Sequence, residues 1–147
     1  VSDDASKSPP ARNIQYRWVA PPKLQRRLGP GTLDVTVDMF GSVHGTFSPG
    51  GIAGPGRPDV GSPEFLLQID PLRGEHLWEL LDDAHLEAMV SETLIPMGEG
   101  EPIDVGRDSG DTATRKTFVQ RKTPPALEPF LFEIRNLADE LVEHPKR

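Results

Sequence analysis

Gly51-Ile52-Ala53-Gly54-Pro55-Gly56 sets two glycines, Gly51 and Gly56, at the spacing of a phosphate-binding loop. In such a loop backbone N–H groups cradle an anion, and a following Lys and Ser/Thr hold the phosphates and a metal. The two residues that follow here are Arg57 and Pro58. Arginine pairs with phosphate, but Pro58 has no hydroxyl for Mg²⁺ and Pro55 has no N–H to donate. Gly61-Ser62-Pro63 also prevents an ordinary helix from following. Nucleotide chemistry therefore fails at this loop, and no cofactor is expected.

Other chemistries fare no better. Gly41-Ser42-Val43-His44-Gly45 is not the G-x-S-x-G of a nucleophile elbow, has no helix behind the serine, and offers no third group to orient His44. The four histidines, at 44, 76, 85 and 144, form no H-x-x-x-H pair. His76 and His85 share a predicted helix at a separation that points them to nearly opposite faces. Asp104, Asp108 and Asp111 miss the D-x-D-x-D-G spacing of a calcium loop and read as a solvated turn. Asp82-Asp83 reads as part of a polar helix face. With no cysteine in the chain, thiolate chemistry and disulfides are excluded, and a zinc site would need His and carboxylates alone. The residues thus point away from an enzyme and a metal protein.

The composition sets the scale. The chain of 147 residues suits one domain, with 35% hydrophobic residues diluted by 14 Gly and 16 Pro. No stretch approaches the apolar length of a membrane span, and V-S-D-D-A-S-K-S-P-P lacks the layout of a secretion signal, which together lead to the expectation of a cytoplasmic protein. Residues 1–31 hold six Lys or Arg against two Asp, and the remainder holds ten against twenty-one. The tail is therefore +4 and the body −11, within a net charge of −7. An acidic body repels phosphates, so nucleic acid is expected only at the tail, where Arg12, Arg17, Lys23, Arg26 and Arg27 interleave with Tyr16 and Trp18.

The elements that would position these residues follow from periodicity. Residues 1–31, punctuated by Pro9-Pro10, Pro21-Pro22 and Gly29-Pro30-Gly31, read as a basic extension, flexible or strapped across the domain. Alternation from Leu33 to Phe40 predicts the first strand, and the domain is expected to span residues 32–147. Residues 41–61 carry seven glycines and three prolines and read as a long loop, with room for a short strand through Val43 to Phe47. Glu64 to Ile69 reads as a strand, and Asp70-Pro71 as a helix N-cap and first position. The helix that follows places Leu72, Leu77, Leu80, Leu81, Ala84, Ala88 and Met89 near one face. Ile103 and Val105 mark a third strand, Asp108-Ser109-Gly110-Asp111 a hairpin turn, and Thr112 to Arg121 a fourth strand. A last helix, opening at Glu128 or Pro129, presents Phe130, Leu131, Ile134, Leu137, Ala138 and Leu141 at three- and four-residue steps. The expected fold is α+β: a small antiparallel sheet of about four strands, two helices packed on one face, in ββαββα order.

Between a first and a second strand, Gly50-Gly51-Ile52-Ala53-Gly54 resembles the glycine-rich loop of the emfourin family, bacterial protein inhibitors of thermolysin-type metalloproteases. Pro125-Ala126-Leu127-Glu128-Pro129-Phe130-Leu131 is similar to that family's C-terminal element. Ser48-Pro49 stands where the family has Arg-Ser, residues 55–63 resemble an insertion, and the basic extension has no counterpart. The resemblance implies a protein without chemistry of its own, a protease inhibitor binding through Gly50, Gly51, Ile52, Ala53 and Gly54 with Ile52 as apolar anchor. A loop of little bulk lets backbone enter a narrow cleft. The same glycines also suit a purely structural turn. The alternative function is a general protein-interaction module that uses the basic N-terminal arm.

Overall fold

The computed structural model describes residues 12–49, 63–92, 102–110 and 112–146. Among these residues a six-stranded antiparallel sheet carries three helices on one face. The strands are β1 (Asn13–Val19), β2 (Gly31–Asp38), β3 (Ser42–Pro49), β4 (Glu64–Gln68), β5 (Pro102–Asp108) and β6 (Ala113–Val119). The helices are α1 (Pro22–Leu28), α2 (Pro71–Ala84) and α3 (Glu128–Leu141). Across the sheet the order is β4-β3-β2-β1-β5-β6.

The class is as expected from periodicity, but the count and order are not: six strands and three helices replace four strands and two helices in ββαββα order. Most of the difference lies in the basic N-terminal stretch. Instead of an extension ahead of residue 32, Asn13–Val19 forms a strand paired with β2 on one side and β5 on the other. Its alternation explains why. Ile14 and Tyr16 point into the core, while Asn13, Gln15 and Arg17 point away, so Arg17, one of the charges that suggested a solvated arm, belongs to the outward half of a strand, and Lys23, Arg26 and Arg27 belong to α1. The prolines that flank it are boundaries. Pro21-Pro22 opens α1, whose Leu24 is buried, and Gly29 ends it at φ 87°. The remaining added strand is β3, of which Val43 to Phe47 was the foreseen part.

Packing follows the register. Val105, Tyr16, Val35, Gly45 and Phe65 lie side by side across five strands, and all face the helices. Gly45 matters because α3 comes close at that point: a Cβ there would stand 2.5 Å from Leu141 Cδ2. The apolar face of α3 is buried as its spacing predicts, from Phe130 through Leu141. On α2, Asp70 caps the helix by accepting a hydrogen bond from Leu72 N at 3.0 Å, and Leu77, Leu81 and Ala84 are buried. Leu72 departs from the predicted stripe; in the first turn it points outward and is 70% exposed. The helix stops at His85 in the left-handed region, φ 56°, and a single 3₁₀ turn buries Leu86. No helix among the described residues is long and apolar enough to cross a membrane.

Each edge of the sheet is paired in part. At β4, Leu66 N donates to His144 O (3.0 Å) and Lys146 N to Glu64 O (2.8 Å), so the segment after α3 lies along the strand. At β6, Thr117 N donates to Ser91 Oγ (2.9 Å) and Thr117 O accepts from Glu92 N (2.7 Å). Paired edges leave fewer free backbone groups to template association.

Candidate functional site

The loop singled out by composition joins β3 to β4. Gly50, Gly51, Ile52, Ala53 and Gly54 lie outside the described residues, as do Arg57 and Pro58. What is described is the pair of feet on which the loop stands. Ser48 and Pro49 remain in register with Thr32 and Gly31 of β2, and Phe47 N donates to Pro63 O at 2.9 Å, closing the base. Phe47 is fully buried, and it packs so tightly on β2 that a Cβ on Gly31 would stand 2.5 Å from its ring and from Ser48 O. Glycine is therefore required at position 31 on steric grounds, and both feet are fixed to the sheet.

The other sequence candidates are dispersed. Ser42 and His44 share the solvent face of β3, but the Ser42 hydroxyl meets Gln68 Oε1 at 3.5 Å while His44 Nε2 lies 2.8 Å from Glu64 Oε1. Asp104 accepts from Thr117 Oγ1 at 2.6 Å, and Asp108 accepts from Gly110 N at 2.8 Å within the β5–β6 turn; Asp111 lies outside the described residues. No group of three His, Asp or Glu side chains among the described residues is placed to hold a metal ion. Three of the five basic residues attributed to an arm have partners within the domain. Arg12 stacks on Trp78, Arg17 Nε lies 3.7 Å from Asp34 Oδ1, and Lys23 Nζ lies 2.5 Å from Glu143 Oε1.

The solvent face of the sheet is polar by the same alternation that makes the other face apolar. Arg17 has Asp34 and Asp104 as its cross-strand neighbours, and Arg115 donates to Gln15 Oε1 at 2.7 Å. Between them Gly106, having no side chain, leaves a hollow of about 220 Å³. Its lining mixes two guanidinium groups with two carboxylates, so it carries no strong net field.

Two arginine–tryptophan stacks on the helix side escaped the reading of the sequence. Arg107 of β5 lies 4.9 Å from the Trp78 ring centroid, with Arg12 at 5.3 Å. It donates from Nε and Nη2 to Glu87 at 2.7 and 2.6 Å and from Nη1 to Asp82 at 2.5 Å. The hydrogen bonds from Arg107 hold the Glu87 carboxyl below its usual range, and donating to Glu87 and Asp82 raises the guanidinium in return. Arg73 and Glu140 make a similar pair between α2 and α3, lowering the Glu140 carboxyl.

The second stack sets Arg135 of α3 at 4.5 Å from the Trp18 ring centroid. Tyr16 lies beside it, and burial pushes its hydroxyl up to about 12, against the opposing influence of Arg135. By strict geometry Tyr16 Oη, Trp18 Nε1 and Arg135 Nε are buried without a partner among the described residues, although Arg135 lies close enough to Tyr16 to act on its hydroxyl as a hydrogen-bond donor. Paired arginines and tryptophans far apart in sequence leave no local spacing signal; only the alternation of Ile14, Tyr16 and Trp18 would have put the tryptophan on the helix side.

This arrangement defines an α+β protein with a one-sided helical layer, a charge-paired open sheet face and a glycine-rich connection fixed at both feet. No protein-family model matches the chain, and no curated protein matches it either.

Proposed function

We propose that this chain is a non-enzymatic binding protein that inhibits a thermolysin-like zinc metalloprotease through the Gly50–Gly54 segment. The resemblance of Gly50-Gly51-Ile52-Ala53-Gly54 and of residues 125–131 to the emfourin family is the source of the target class. The structural observation that supports it is the closed base of the β3–β4 connection, where Phe47, Pro63 and Gly31 fix both ends of a glycine-rich span to a rigid sheet. Anchored ends lower the ordering cost of a loop that must present one conformation to a partner. Ile52, the one large apolar side chain between Gly50 and Gly54, is the anchor residue of the proposal. A chain without cysteine folds without disulfides, which suits the bacterial, cytoplasmic setting included in this reading.

The test is inhibition of a purified thermolysin-type protease, read as hydrolysis of a fluorogenic peptide. Micromolar protein is expected to lower the rate, and Ile52→Asp to weaken inhibition roughly thirtyfold, the effect of losing about 2 kcal/mol at an interface anchor. A protease rate unchanged by the wild-type chain at micromolar concentration would sink the proposal.

A further inference from the structure

An open groove of about 560 Å³ lies between α2 and the start of α3. Leu80, Pro125, Pro129 and Phe132 give it an apolar lining, with His76, Glu128 and Glu133 as its polar members. Phe132 is 64% exposed on a helix whose other large apolar side chains are buried, so packing within the domain does not account for it. On α2, Leu72, His76 and Leu80 follow at four-residue steps, which puts them on one stripe. Leu72, also exposed, stands about 12 Å from Leu80 along the helix axis. The charge around this stripe has one sign. α2 and α3 each carry four carboxylates against one arginine, and both arginines are engaged: Arg73 with Glu140, Arg135 with the Trp18 ring. Glu79 and Asp83 are exposed on the turns beside Leu80, and Glu128 is exposed one turn before Phe132.

We propose that this groove is a docking site for a basic amphipathic helix of another protein, whose apolar residues cover Leu72, Leu80 and Phe132 while its Lys and Arg meet Glu79, Asp83, Glu128 and Glu133. Carboxylates bordering an apolar strip repel the phosphates of nucleic acid and of anionic lipid, and they complement a strip bordered by cations. Helix-in-groove recognition uses apolar anchors near i, i+4 and i+7, close to the spacing of the α2 stripe. α2 and α3 are each 14 residues, or about 21 Å, which suits a partner helix of similar length.

The site needs none of residues 50–54, and its test reads no protease activity. Three labelled synthetic peptides are titrated with the full chain and followed by fluorescence anisotropy. One has Leu at helical spacing on one face with Lys and Ala elsewhere, one scrambles that composition so that the stripe is lost, and one replaces every Lys with Glu. The first is expected to bind saturably at micromolar concentration, and the other two at least about tenfold more weakly. Phe132→Ser is expected to weaken the first peptide roughly tenfold, and Leu72→Ser and Glu133→Gln about threefold each. Phe132 and Leu72 are exposed, so circular dichroism should show both serine variants folded. Arg115→Gln, on the opposite sheet face, and Ile52→Asp leave the affinity unchanged. The proposal is overturned by no saturable binding, by a scrambled peptide that binds as tightly as the first, or by full affinity in both serine variants. A dimer of the free chain that Phe132→Ser abolishes, read by light scattering, would overturn it too, because a second copy would then be the occupant.

Discussion

Replacing Arg107 with Met keeps most of the aliphatic stem and removes the guanidinium that joins β5 to α2 and to the turn after it. The Arg107 side chain is only 12% exposed, whereas its partners Asp82 and Glu87 are 54% and 45% exposed. Solvent at the carboxylates screens the pairs, so each is assigned the upper part of the surface range, about 1 kcal/mol or less. The stack on Trp78 adds roughly 0.5–1 kcal/mol. The expected loss is therefore about 2 kcal/mol, or a Tm lower by roughly 4–8 °C for a domain of this size. The pH dependence separates the two contributions. The Glu87 carboxyl is lowered in the folded protein from its ordinary 4.5, so its stabilisation is complete above that value and is lost as pH falls through the folded pKa. Thermal unfolding followed by circular dichroism, at about pH 7 and then below the carboxylate range, should show the gap between wild type and Arg107→Met shrinking to less than half. A neutral-pH difference under about 2 °C would refute the reasoning. So would a gap that stays constant on acidification.

Three further outcomes are expected. Removal of residues 1–19 deletes a strand that separates β2 from β5, so the shortened chain should lose cooperative unfolding; a sharp thermal transition would contradict the central position of β1. Gly41 adopts φ 85°, and a Cβ there would stand 2.2 Å from Ile69 O, so Gly41→Ala should cost at least about 2 kcal/mol in urea unfolding, whereas an unchanged midpoint would show that the β2–β3 turn yields freely. Lys23→Ala should leave stability nearly unchanged, because Lys23 and Glu143 are both exposed side chains and the pair is a surface contact; a clear drop in Tm would show that α1 depends on it.

The elements that local chemistry determines were legible before the structure. Asp70-Pro71 combines a side-chain cap with a residue that needs no N–H, and α2 starts there. The three- and four-residue steps from Phe130 to Leu141 leave α3 one way to bury its stripe. The N-terminal strand was missed because composition outweighed period. Prolines on both sides and an excess of arginine describe a linker on average, yet Asn13 to Trp18 alternate, and a strand at the centre of a sheet covered on one side needs only one apolar face. Gly45 misled in the same direction. In isolation it weakens a strand, but in the fold it is the recess that admits Leu141.

Site residues follow the same division between local and distant determinants. Gly50 to Gly54 stand out because glycine enrichment is a property of consecutive residues, and a loop prediction needs nothing more. The feet of that loop depend on Gly31, Phe47 and Pro63, which meet only when β2, β3 and β4 pair. Arg135 meets Trp18 only because α3 crosses above β1, although each residue in its own element is ordinary: an arginine on a helix flank and an aromatic at the end of a strand. A donor left without an acceptor is a property of three dimensions alone, since any of the three side chains would be satisfied by water in an extended chain. Protease inhibition through Ile52 therefore tests what consecutive residues encode, whereas the contact of Arg135 with Trp18 is created only by the packing of α3 on the sheet.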